Sequence, residues 1–163
     1  MSAWHRGWVL WDATLALCVL GIGLWGLFLS AAQALQEQRE SSAWAQAVHL
    51  SDDLIARMAI NREGLSAYQL ALGETPASLD CSSAACNATQ WAQADLARWK
   101  RRVQSELPQG DAQVLPASSD PMQRLVWLTW TASTASAWIP APTQVQVPAC
   151  ATGQRCHALW VLP

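Results

Sequence analysis

Proline is absent before Pro76, and glycine is absent between Gly26 and Gly64, so a long early stretch lacks the two residues that most readily end a helix. From Gly7 to Gln33 charge is nearly absent too, with Asp12 the single acid and no base. Rings other than indole are scarce: one phenylalanine and one tyrosine stand against 11 tryptophans. Tryptophans scattered in this way read as core or interface packing, and no activity attaches to them. The formal net charge of -2 gives no general pull toward nucleic acid. The basic cluster Arg98, Lys100, Arg101 and Arg102 adjoins Asp95 and Glu106, and reads as a solvated helix face rather than a phosphate site.

Catalytic and metal patterns are missing as well. No two cysteines are spaced by two residues, no Ser, His and Asp arrangement is visible, and His5, His49 and His157 stand isolated. An enzyme is therefore not expected, and neither a cofactor nor a metal site is assigned. Of the five cysteines, Cys18 lies in the early apolar stretch, while Cys81, Cys86, Cys150 and Cys156 follow it in two close pairs. An even number outside the apolar stretch suits disulfides in an oxidising compartment. Pairing Cys81 with Cys86 and Cys150 with Cys156 is the simplest of three connectivities, and spacing alone does not select it.

What is present begins with the apolar run. Residues 13–32 hold no acidic or basic side chain, and roughly twenty such residues cross a bilayer core of about 30 Å as a helix. Asp12 at the edge of that run calls for a partner, because a carboxylate at the bilayer centre costs roughly 2.5 to 3.5 kcal/mol. The leader MSAWHRG carries His5 and Arg6 and no acid, which keeps the N-terminus cytoplasmic. Three readings compete for this segment: a secretory signal cut at Ala32-Gln33-Ala34, a plain membrane anchor, and a leader cut on the cytoplasmic side. The apolar run is longer than a secretory signal needs, and the acid at its front edge is foreign to one.

Beyond Gln33 the composition turns polar without a break, so the helix is expected to continue. Leu50, Leu54 and Met58, with Val48 and Ile55, fall at helical spacing and leave Glu37, Arg39, Glu40, Asp53 and Arg57 mostly on other faces. A helix from Trp8 to Asn61 would span about 80 Å, apolar in its first half and amphipathic in its second. Gly64 is expected to end it. Asn87 or Thr89 then caps a second helix, with Gln90 three after Asn87 and with Trp91, Leu96, Trp99 and Val103 along one side, until Leu107-Pro108-Gln109-Gly110 stops it. Asn87-Ala88-Thr89 also matches a glycosylation sequon, but the cap is the favoured reading. The last third reads as short antiparallel strands over Ala112 to Leu115, Arg124 to Ala132, Thr143 to Val147 and His157 to Leu162, with a hairpin loop Ala151 to Arg155. Removing the apolar run leaves roughly 130 residues, enough for one core.

Gly7 to Leu17, GWVLWDATLAL, resembles the type IV prepilin signature: glycine at a cut, an aromatic first mature residue, apolar positions, then an acid. Trp8 stands where phenylalanine is usual, and Asp12 where glutamate is usual. Val19 to Leu27 is similar to the VLSIGLLGL run of the type IV pilus modification proteins, the PilV-like minor pilins. Leu50-Ser51-Asp52-Asp53-Leu54-Ile55-Ala56-Arg57-Met58 with Asn61 resembles that family's helix end, and Asp95-Leu96-Ala97-Arg98-Trp99 leading to Leu107-Pro108-Gln109-Gly110 resembles its DLxxW and LPxG element. Cys156 to Pro163 fits the family's terminus.

The resemblance implies an α+β, pilin-like fold, a long N-terminal helix packed on a small domain with an antiparallel sheet. It divides the chain into a leader at 1–7, a membrane and assembly half-helix at 8–32, and a periplasmic domain at 33–163. It implies cleavage by a prepilin peptidase between Gly7 and Trp8, methylation of the new amine, and a role for Asp12 in setting stagger between subunits. The implied partners are other minor pilins, the major pilin, the peptidase, the inner-membrane assembly platform and membrane lipid, with no nucleic acid. The implied function is a noncatalytic minor pilin that primes pilus assembly and ends near the tip. A type II secretion minor pseudopilin shares the same N-terminal signature, and a membrane-anchored binding module is the reading from a different class.

Overall fold

The computed structural model describes residues 5–81, 85–117, 120, 122–132 and 148–163, with the backbone alone described for 5–10. Helix α1 runs His5–Ile60, as the lack of helix breakers predicts. By its contacts the chain divides into two units, the first ending at Arg39 and the second running from Glu40. In the second unit α1 buries Ala43, Ala47, Leu50, Ser51, Leu54 and Met58, one stripe at three- and four-residue spacing. The Ser51 hydroxyl donates to Ala47 O at 3.0 Å, so its presence in the stripe leaves no polar atom stranded.

The helix stops at Ile60, before Gly64. Asn61 accepts from Gly64 N and caps a 3-10 turn, Arg62–Ala67. Gly64 is instead a point of close approach: a Cβ there would lie 2.4 Å from Ala88 O. Helix α2, Ala88–Glu106, opens with the capping box expected of Asn87 and Gln90, in which each side chain bonds the other's backbone N–H at 2.9 Å. It ends at Glu106 with Leu107 as its C-cap; after Pro108, Gln109 takes a left-handed φ of 50° and Gly110 N donates to Leu107 O at 3.0 Å. Leu107-Pro108-Gln109-Gly110 is thus the turn that brings α2 into the first strand.

Three strands form one antiparallel sheet in sequence order: β1 Asp111–Pro116, β2 Arg124–Thr131 and β3 Gln154–Val161. The register sets Val114 opposite Val126, and Leu128 opposite His157. Ala112, Val114, Val126, Leu128 and Trp130 join Leu50, Leu54, Met58, Tyr68, Leu96, Trp99 and Val103 in one core. Leu125, Trp127 and Thr129, on the other side of β2, are buried as well. The α+β architecture is that expected, a long helix packed through its second half on a small antiparallel sheet.

One strand boundary differs from expectation by several residues. β3 begins at Gln154 rather than His157, because the hairpin turns within Thr152-Gly153, with Gly153 at φ 80° and Gln154 N donating to Ala151 O at 3.1 Å. Gln154 and Arg155, assigned to a loop, therefore pair with Thr131 and Trp130. The expected strand Thr143 to Val147 lies outside the described residues. The solvated basic face is also corrected at one position. Lys100 is 1 % exposed, because it shares the inward side of α2 with Leu96, Trp99 and Val103; its ammonium bonds the Asp111 carboxylate and Ala112 O on β1.

Candidate functional site

The apolar half of α1 has the least company within the chain. Trp11, Leu15, Leu17, Leu20, Ile22 and Trp25 are all exposed, as are Leu27, Phe28 and Leu29. These residues lie on every side of the helix, so the segment has no buried face among the described residues. Its few polar groups are handled locally: Thr14 Oγ1 donates to Trp11 O and Ser30 Oγ to Leu27 O, both at 2.9 Å. Hydroxyls bonded to their own helix can enter an apolar phase without a stranded donor. A Cβ placed on Gly21, Gly23 or Gly26 would meet nothing within 4 Å, so space for the chain's own fold does not require these glycines. By length and composition α1 is a candidate membrane span.

Among the expected site residues, Gly7 and Trp8 lie in the helical backbone of α1, and their side chains are outside the described part. Asp12 is exposed, four residues after Trp8, about 6 Å along the axis and on the same side of the helix. Cys18 is a free, exposed thiol within the apolar half. The other four cysteines form two bridges, Cys81 with Cys86 and Cys150 with Cys156.

The second unit contains a polar cluster that composition did not reveal. Asp95 on α2 accepts from Arg57 at 3.0 Å, from Arg98 at 2.8 Å and from the Tyr68 hydroxyl at 2.9 Å. Asp53 accepts from Arg57 at 3.2 Å and from Arg102 at 3.0 Å, and Arg102 also reaches Glu106 at 2.9 Å. Burial alone would lower the pKa of Arg57, but its hydrogen bonds to Asp53 and Asp95 carry it above the ordinary value. Burial raises the Tyr68 phenol, and its hydrogen bond to Asp95 raises it further. Nearby, Trp99 Nε1 donates to Leu50 O at 2.7 Å, and Asn61 Nδ2 donates to Ala88 O at 2.8 Å.

The motif residues of the two helices therefore meet. Asp53, Arg57 and Asn61 from the end of α1 face Asp95, Trp99 and the start of α2, and together they lock the helices antiparallel. The chemistry of this cluster is mutual neutralisation. Each carboxylate is matched by guanidinium groups, and the Tyr68 hydroxyl donates its proton to Asp95 in a hydrogen bond. Among the described residues, no three His, Cys, Asp or Glu side chains are grouped to hold a metal ion. The signal for the cluster was present in the four-residue spacing of Asp53 and Arg57, but the partner element could not be named without the fold.

A smaller aromatic group lies where α1 meets β3. Trp44 packs edge-on against His157, with centroids 5.2 Å apart, and tilts against Trp130 at 5.9 Å. Burial lowers the His157 pKa, opposed by the charge of Asp52. Its Nε2 is buried without a hydrogen-bond partner among the described residues. Glu40 and Arg155 pair beside this group at 2.6 Å.

Residues 30–97 match a family model described as Tt1218-like, Type IV pilin Tt1218. The matched region covers the second half of α1, the 3-10 turn and the first half of α2, and so includes Asp53, Arg57, Asn61, Tyr68 and Asp95. It begins downstream of Gly7, Trp8 and Asp12. The similarity supports a type IV pilin family, whose members are structural, noncatalytic subunits. It fits a pilus location and membrane anchoring through the long apolar helix. No curated protein and no solved structure matches the chain.

Proposed function

We propose that this chain is a minor pilin of a type IV pilus, PilV-like, and that it works by lateral assembly of its N-terminal helix. The observation that carries the reading is the pairing of a type IV pilin match over 30–97 with an apolar half-helix exposed on all sides. Residues 1–7 are the leader, 8–32 the membrane and assembly segment, and 33–163 the periplasmic domain. A prepilin peptidase cuts between Gly7 and Trp8, leaving a cationic amine, later methylated, at the start of an apolar helix. Such a charge is costly in an apolar bundle unless it is paired.

Asp12 supplies the pair. At an effective dielectric of about 20, opposite charges 4 Å apart attract by roughly 4 kcal/mol, which favours one axial register between neighbouring helices over slipped ones. The subunit joins other minor pilins and the major pilin at the inner-membrane assembly platform, primes filament growth and is carried to the tip. The disulfides Cys81–Cys86 and Cys150–Cys156 suit the oxidising periplasm.

Mass spectrometry of the N-terminus of the purified protein tests the proposal. A chain starting at a methylated Trp8 and recovered with other pilins is the expected result. An intact Met1 reduces the chain to an anchored domain, and a start at Leu35 makes it a secreted one; either finding removes the assembly role.

A further inference from the structure

α1 advances about 100° per residue around its axis, which sorts its apolar half by side. Ala16, Val19, Gly23, Gly26 and Ser30 all fall within about 40° of Asp12. Larger side chains stand clear of that arc: Leu15 and Leu27 lie about 60° to either side of Asp12, Ile22 and Leu20 about 80°, and Trp25 and Phe28 on the far side. From Asp12 to Ser30 this makes an exposed lane about 27 Å long. Small residues form its floor, three leucines and Ile22 its walls, and a carboxylate marks its N-terminal end.

Among the described residues nothing fills the lane. A Cβ on Gly23 or Gly26 would meet no atom within 4 Å, and Ser30 Oγ donates to Leu27 O of its own helix, which leaves the floor without a free donor. Glycine weakens a helix, and lipid tails give nothing back for it, since they cover leucine equally well. A second helix does, because small residues let two backbones approach closely. The acid is an independent sign of the same occupant. Asp12 is the single charged side chain from Gly7 to Gln33, it lies on the floor of the lane rather than among the walls, and in an apolar phase it requires a cation. Shape and charge together describe an apolar helix that carries a positive group at the level of Asp12.

We infer that the Asp12 side of α1 is the surface on which the closest neighbouring helix docks, with that helix's N-terminal amine at Asp12 and its backbone running parallel to α1 over Gly23 and Gly26. The side bearing Trp25 and Phe28 takes lipid or looser contacts. The choice of a neighbouring pilin as occupant rests on the assembly role proposed above. Gly21 supplies an internal control: it lies nine residues after Asp12, about 180° around the axis, and a Cβ there also meets nothing within 4 Å.

Leucine substitutions in the full chain, purified in mild detergent from membranes of cells that make the other pilins, test the docking side. Leucine is apolar and a better helix former than glycine or serine, so a lost partner cannot be blamed on failed insertion or a weakened helix. Gly23→Leu and Ser30→Leu should each lower the recovered major pilin by about tenfold, because the side chain fills the lane. Gly21→Leu should leave recovery unchanged. Equal loss in Gly21→Leu and Gly23→Leu overturns the choice of side, and so does full recovery in both Gly23→Leu and Ser30→Leu. If those two variants keep their partners while Asp12→Ala loses them, the lane fails and the assembly role stands. If the wild type recovers no pilin at all, both fail.

Discussion

Lys100 and Asp111 should respond unequally to removal, and the inequality follows from how each is solvated. The Lys100 side chain is 1 % exposed and that of Asp111 28 %, so the cation depends on the protein for its solvation, while the anion retains some water. Asp111 also accepts from Gly73 N and from its neighbour Ala112 N, each at 2.8 Å; among the described residues Lys100 bonds Asp111 and Ala112 O alone. Asp111→Ala therefore strands a buried ammonium, a change that costs about 3 to 5 kcal/mol. Lys100→Met places an apolar chain of similar length among Leu96, Trp99 and Val103 and leaves a carboxylate that is still hydrogen bonded, so its expected cost is about 1 kcal/mol or less. Guanidinium unfolding of the full chain in micelles, followed by the fluorescence of buried Trp99, Trp127 and Trp130, measures both. The pH dependence gives a second measure. Burial would raise the Asp111 pKa, but the hydrogen bonds from Lys100 and Ala112 hold it below its ordinary value of 3.8. The stability it contributes is thus present above about pH 3.8 and is lost as pH falls through the lower folded value. Lys100→Met should flatten that acid limb. A Lys100→Met variant less stable than Asp111→Ala would refute the reasoning, because the ammonium would then be doing more than neutralising its partner.

Four further substitutions test other residues of the chain. Asp12→Ala should insert in the membrane normally yet lose copurification with partner pilins; undiminished partner recovery would remove Asp12 from the stagger role. Gly110→Ala should destabilise by about 1 to 3 kcal/mol, because its Cβ would lie 2.4 Å from Val103 O and 2.7 Å from Leu107 Cβ, whereas Gly21→Ala, with nothing within 4 Å, should leave the unfolding midpoint of the domain unchanged. Burial holds the folded His157 pKa below the ordinary 6.5, so as pH falls through that value the unfolded chain takes up a proton first and stability drops until the folded value is reached. His157→Gln should show a smaller fall in Tm between about pH 7.5 and about pH 5.5 than the wild type.

The long helix, the cap at Asn87 and the turn at Pro108 were legible because each depends on local chemistry: missing helix breakers, a side chain that bonds its own backbone, and a ring that lacks an N–H. The stripe of Leu50, Leu54 and Met58 was legible for the same reason, since periodicity is a property of one element. Lys100 was misread because charge outweighed position: it lies four after Leu96 and three before Val103, a core place, yet only a carboxylate arriving from β1 makes that place tenable. The Asp53, Arg57 and Asp95 cluster joins residues 38 apart in sequence, and no local rule pairs them until α2 is known to run back along α1. β3 was placed three residues late because Gln154 and Arg155 look like loop residues; their strand state comes from pairing with Thr131 and Trp130.

The two halves of α1 pose opposite problems in water, and this difference leaves Asp12 as the residue that matters. At about 1.5 to 3 kcal/mol for each large apolar side chain buried, the eleven large apolar side chains exposed from Trp11 to Leu29 represent roughly 16 to 33 kcal/mol of unrealised burial, more than the roughly 5 to 15 kcal/mol that holds a typical domain together. The segment therefore requires an apolar phase outside its own chain. Lipid and a bundle of like helices serve Leu, Ile, Val and Phe almost equally, because acyl chains are as apolar as the side chains themselves. Moving such a helix from membrane to filament consequently changes little for its apolar residues. It changes much for a carboxylate, which in lipid has no fixed partner and in a bundle can meet a neighbouring amine. On the proposed reading, the preference for filament over membrane resides in Asp12 and the amine it meets, with the apolar side chains permitting either state. Asp12→Asn, which keeps the shape and removes the charge, should therefore shift the chain toward the membrane fraction as far as Asp12→Ala does. Retention in filaments by the asparagine variant would assign the preference to packing instead.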